Sequence, residues 1–132
     1  MNHIDICTGT SYGARSATIA VINSMGGPDC VKAVRLNTQL GGPDLESPSE
    51  EWALILECES RMEGLSNVEI RVCMLTSGYP GTGPHDLVEV LKSAGFKVNE
   101  HSIFNKCPLK GRWIKKWCHL TPTVLCTVGV LF

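Results

Sequence analysis

The eleven residues from Lys106 to Lys116 carry five basic side chains, Lys106, Lys110, Arg112, Lys115 and Lys116, and no acid. Trp113 lies within this run and Trp117 directly follows it. Cations interleaved with large amphipathic rings suit two anionic partners. One is a membrane surface, where tryptophan and lysine settle among the headgroups. The other is nucleic acid, whose bases stack on rings while its phosphates meet the cations. The formal net charge of the chain is only -1, so segregation of charge rather than its total carries this reading. As a strand, the segment puts Trp113, Lys115 and Trp117 on one face and Arg112, Ile114 and Lys116 on the other. As a helix, it brings Trp113 and Trp117 together one turn apart. A solvated basic face with no ligand is the plain alternative.

A second candidate is the loop Gly78-Tyr79-Pro80-Gly81-Thr82-Gly83-Pro84-His85-Asp86, ahead of an apolar helical pattern. Helix N-termini attract anions. Gly78, Gly81, Thr82, Gly83 and His85 therefore form the alternative site, one for a phosphorylated small molecule, with His85 as acid or base if the protein is a small enzyme. The loop matches neither the P-loop nor Gly-x-Gly-x-x-Gly. Pro84 removes an amide donor, and Asp86 puts negative charge in the first turn, where a phosphate would be repelled. His85 and Asp86 are adjacent and point in different directions on a helix, which makes a dyad awkward. No nucleophile turn of the Gly-x-Ser-x-Gly type occurs. No catalytic residue is assigned, and a non-enzymatic binding or assembly protein is expected.

His101, Cys107, Cys118, His119 and Cys126 gather enough ligand atoms in the last third for zinc, but not in the close pairs that structural zinc sites use. No metal and no cofactor is assigned. Of the seven cysteines, at 7, 30, 58, 73, 107, 118 and 126, most stand in apolar runs, and none are spaced Cys-x-x-Cys. Thiols so placed act as small hydrophobes, and the pattern favours free thiols in a reducing, intracellular compartment. Cys118, near Lys115 and Lys116, is the thiol best placed to be reactive.

The elements that must position these residues follow from periodicity. Ile4-Asp5-Ile6-Cys7 predicts a short strand, and Ala14 to Met25 a helix ended by Gly26, against the β-branched Thr18, Ile19, Val21 and Ile22. Gly26-Gly27-Pro28-Asp29 and Gly41-Gly42-Pro43-Asp44 predict two like turns around an alternating strand that contains Val34 and Leu36. Ser47-Pro48-Ser49-Glu50 has the form of a helix start. The alternation from Leu54 to Glu63 instead favours a strand folded back on Val68 to Thr76 about Leu65, pairing Arg61 with Glu69, Glu59 with Arg71, Met62 with Val68 and Cys58 with Val72. Pro84 to Ala94 predicts a helix closed by Gly95. Phe96, Val98, Ile103 and Phe104 predict a strand, and Thr123 to Phe132 a central one.

At 132 residues the chain is expected to be a single α+β domain, 1–132, compact, with a mostly antiparallel or mixed sheet and one or two helices. No apolar run approaches the ~20 residues of a transmembrane helix. Eight acids against Arg61 alone lie between Asp44 and Glu69, so an acidic face opposite a basic one, and self-association into a homo-oligomer, are expected. The order strand, helix, strands, helix, strand is similar to that of rhabdovirus matrix proteins, which bind membrane and nucleocapsid. That similarity implies a matrix-type structural role and assigns no residue. The resulting expectation is an intracellular protein, peripheral at a membrane or bound to nucleic acid.

Overall fold

Apolar residues at alternate positions build β1 (Asn2–Ile6), β2 (Val31–Asn37), β3 (Leu54–Cys58) and β4 (Val68–Val72), and the basic segment adds a fifth adjacent strand, β5 (Lys110–Trp117). In this computed structural model, residues 2–38, 52–59, 67–107, 109–117 and 124–127 are described, with 116–117 and 124–127 described by backbone alone. The strands run in the order β1-β4-β3-β2-β5, and β6 (Val124–Thr127) pairs with the far end of β5. β1 and β4 are parallel and every other pair is antiparallel, so the sheet is mixed and the fold is α+β.

Ile4, Ile70, Leu56, Val34 and Trp113 stand side by side across the five strands. They belong to, or pack against, the hydrophobic core together with Ala14 and Ile22 of α1 (Ser11–Ser24) and Leu87, Val90 and Leu91 of α2 (Thr82–Ser93). Both helices therefore cover the same side of the sheet. α1 forms despite its β-branched residues because Thr10 caps it, its Oγ1 accepting from the Gly13 amide at 3.0 Å, and because Ala14, Thr18 and Ile22 bury one stripe. Burial of that stripe outweighs propensity costs of a few tenths of a kcal/mol per residue. Gly95, at φ 89°, adopts the left-handed conformation just past α2 that stops the helix.

Four expectations need correction. The segment around Ile103 and Phe104 is a third helix, α3 (Glu100–Asn105), because the Asn99 side chain caps it by accepting from the Ser102 amide. The hairpin of β3 and β4 exists, but its register differs: Cys58 faces Val68 and Leu54 faces Val72. That shift is by an even number of residues, so each side chain keeps its face. β6 is outermost, not central, among the described strands. Finally, Cys7 and Cys73 are joined in a disulfide between the ends of the neighbouring parallel strands β1 and β4, so the thiols are not all free and their pattern no longer argues for a compartment. Cys30, Cys58 and Cys107 are free thiols. The turn at Gly41, the helix start at Ser47, the residues Arg61 and Met62, and the pair Cys118-His119 lie outside the described residues. No helix among the described residues is long and apolar enough to cross a membrane.

Candidate functional site: the open face of the sheet

The side of the sheet away from the helices carries two charged rows. In one, Asp5, Arg71, Ile55, Arg35 and Arg112 are neighbours in register; in the other, His3, Glu69, Glu57, Ala33 and Ile114. Glu57 and Glu69 face each other directly, a repulsive arrangement within the hairpin. Arg35, from the third strand, resolves it: its guanidinium contacts Glu69 and lies 3.6 Å from Glu57. Arg112 adds a two-pronged bond to Glu57 at 2.7 and 2.9 Å, and Arg71 grips Asp5 the same way at 2.7 and 3.1 Å.

Trp52, just before β3, lies beneath the Arg71 guanidinium, 5.0 Å from ring centre to Cζ. On the same face a groove of about 420 Å³ is lined by Arg35, Asn37, Trp52, Ile55, Lys110 and Arg112, among others. Lys110 has no ion-pair partner among the described residues, and the Arg35 and Arg112 side chains keep nearly half their surface in solvent. A guanidinium that holds one carboxylate still has N–H donors to offer a second anion.

The basic run of β5 is thus divided. Arg112 and Ile114 face the open side, while Trp113 and Lys115 turn inward. Trp113 is buried, and Gly111 makes the room: a Cβ there would sit 2.9 Å from the indole ring. Lys115 donates to the carbonyls of Pro28, at 2.8 Å, and of Ala94 at the end of α2, and its ammonium lies 5.0 Å from the centre of the Phe96 ring. Burial lowers its pKa to about 8. Lys106 follows α3, its carbonyl accepting from Ser77 Oγ at 2.7 Å. The side chains of Lys116 and Trp117 lie outside the described residues. Of the segment's cations, Lys110 and Arg112 meet in the groove. Arg35, Trp52, Ile55 and Asn37 are contributed by distant strands that sequence reasoning did not bring to the site.

The Gly-rich loop serves packing. Thr76 and Ser77 are buried, Ser77 Oγ lies 2.5 Å from Thr38 Oγ1, and Thr76 Oγ1 lies 2.8 Å from the Tyr79 hydroxyl. Gly78 lies against Cys107, Gly81 against the Tyr79 ring, and Gly83 against Thr76 Oγ1, only 2.0 Å from where a Cβ would be. Thr82 and His85 are exposed, whereas buried Asp86 turns to α1, accepting from Ser11 Oγ at 2.7 Å and from Arg15 at 3.3 Å. His85 and Asp86 do diverge. Gly83→Ala is expected to destabilise the fold by about 1–3 kcal/mol through overpacking. Adding Thr76→Ala should restore part of that loss, as read by thermal unfolding.

The electrostatics of the open face have a pH signature. The hydrogen bond from Arg112, then the charges of Arg112 and Arg35, hold the Glu57 carboxyl below its usual range against the opposing effect of burial. A depressed folded-state pKa contributes stability above the unfolded value, about 4.3, that is lost as pH falls through the folded one. Wild type is expected to lose more stability than Glu57→Gln on acidification below about pH 4, by up to about 1 kcal/mol for so accessible a cluster. Urea unfolding at pH 7 and pH 3 measures the difference.

No family model matches the chain, and neither a curated protein nor a solved structure is significantly similar to it.

Proposed function

We propose that the protein binds single-stranded nucleic acid on the open face of its sheet. The observation that carries this reading is the groove that sets the Trp52 ring beside Arg35, Lys110 and Arg112. Single strands are gripped where cations follow the phosphates and an aromatic ring offers a stacking surface. A sheet face that no helix covers among the described residues is a rigid place to mount both. The basic segment keeps its part through Lys110 and Arg112, and Trp52 takes the stacking role that Trp113, buried in the core, does not offer.

A lipid surface is the other anionic partner that the basic run suits. Insertion among headgroups needs a continuous protruding apolar surface. Among the described residues the large exposed hydrophobic side chains are Tyr12, 66% exposed on α1, and Ile114, 42% exposed on β5, which lie on opposite sides of the sheet. They form no common patch, and the groove between rigid strands favours a polymer over a bilayer.

The test is fluorescence anisotropy of a labelled oligouridylate of about 12 nucleotides, within the range of single-strand binding sites, alongside sedimentation with phosphatidylserine vesicles. Saturable binding to the oligonucleotide that weakens with salt supports the reading. Binding to vesicles alone would move the function to a membrane surface, and binding to neither would remove the groove from consideration.

A further inference from the structure

On the buried side of the sheet, away from the groove, two free cysteines meet. Cys30 ends a 3₁₀ turn (Pro28–Cys30) and Cys58 ends β3; Val31 faces Cys58 in the ladder, and the Glu59 amide donates to the Cys30 carbonyl at 2.8 Å. Cys30 is 1% exposed and Cys58 4%. Both side chains belong to the core cluster, where Cys30 Sγ donates to the Ile22 carbonyl at 4.0 Å and Cys58 Sγ to the Leu56 carbonyl at 3.7 Å, and Lys115 and Lys32 bring positive charge to Cys30. Cys58 also lines a cavity of about 280 Å³ that it shares with Lys32, Glu57 and Asn67.

We propose that Cys30 and Cys58 are a peroxide-sensitive dithiol, which hydrogen peroxide entering through the cavity at Cys58 converts to a disulfide. Cys107 shows the contrast, being exposed and, among the described residues, without a paired thiol. The neighbouring Cys58 thiol and the two lysines lower the Cys30 pKa to about 7 against the burial that opposes them, and the same pairing and burial push Cys58 up. In the first step the Cys30 thiolate attacks one peroxide oxygen. The O–O bond breaks, a sulfenic acid forms on Cys30, and the departing hydroxide takes up the proton that Cys30 released. In the second step the Cys58 sulfur attacks the sulfenic sulfur, the S–O bond breaks, and the hydroxyl leaves as water with the Cys58 proton. Two thiols and one peroxide become one disulfide and two waters, the two electrons passing from sulfur to oxygen. Near-complete burial excludes bulky oxidants such as glutathione disulfide and leaves small peroxides as the class that fits.

The full-length protein, reduced with dithiothreitol and then freed of it, is treated with stoichiometric hydrogen peroxide. Remaining thiols are alkylated in denaturant, and peptides from a non-reducing digest are read by mass spectrometry. The expected product is a Cys30–Cys58 linked peptide, two hydrogens lighter than its reduced parts and returned to them by dithiothreitol. In Cys58→Ser, which lacks the resolving thiol, dimedone added together with the denaturant after the peroxide step is expected to label Cys30 instead. Cys30 and Cys58 both recovered alkylated, at peroxide levels that oxidise Cys107, would overturn the proposal. So would a first linkage of either residue to a different cysteine.

Discussion

Leu56→Ala is expected to remove about 2–5 kcal/mol of folding stability, the range for deleting a large side chain from a core that cannot collapse around the gap. Leu56 is fully buried at the centre of β3, the middle strand of the five. It is flanked by Val34 and Ile70, both also fully buried. Its neighbour Ile55 points to the open face, and Ile55→Ala is expected to cost less than about 1 kcal/mol. Urea titration of both variants measures the contrast, with an unchanged slope showing that stability and not compactness has altered. Equal losses would mean that both faces are packed.

Trp52→Ala is expected to weaken oligonucleotide binding by about 1–3 kcal/mol, the worth of one base stacked on an aromatic ring. That is roughly a fivefold to 150-fold rise in Kd. Trp52→Phe keeps a ring and should fall between the two. The indole also supports Arg71, whose guanidinium lies over it and is clamped to Asp5. Circular dichroism and urea unfolding of the same samples separate a loss of ligand contact from a loss of fold. Anisotropy titrations in which Trp52→Ala binds as wild type would remove stacking from the account.

How far these positions can be read from sequence depends on what fixes them. The strands β3 and β4 are legible because Leu54, Leu56 and Cys58, and Val68, Ile70 and Val72, repeat every second residue, and that pattern survives any even shift of register. The register is not legible from the hairpin alone. Pairing Arg61 with Glu69 and Glu59 with Arg71 satisfies charge between two strands, whereas the charge on Glu57 and Glu69 is balanced by Arg35 of β2 and Arg112 of β5. A third and a fourth strand decide it. In α3 the cap at Asn99 prevails over the strand-like spacing of Phe96, Val98, Ile103 and Phe104. In the basic segment, alternation correctly groups Trp113 with Lys115 and Arg112 with Ile114. Which group faces the core depends on the helices that cover the other side, and neither helix is near in sequence. The groove is hidden for the same reason: Trp52 and Arg35 carry no motif and meet Lys110 only through the strand order β3-β2-β5.

The most direct test of the central claim is the salt dependence of oligonucleotide affinity in wild type and in Lys110→Gln, Arg35→Gln and Arg112→Gln, singly and combined. For single strands, log K falls with log salt at about -0.7 per phosphate neutralised. Three groove cations acting on phosphates predict a wild-type slope near -2 or steeper. Each single variant should flatten it by about 0.7, and the triple variant by about 2. A wild-type slope that the triple variant leaves unchanged would contradict the account, because the phosphates would then be held somewhere other than the open face of this sheet.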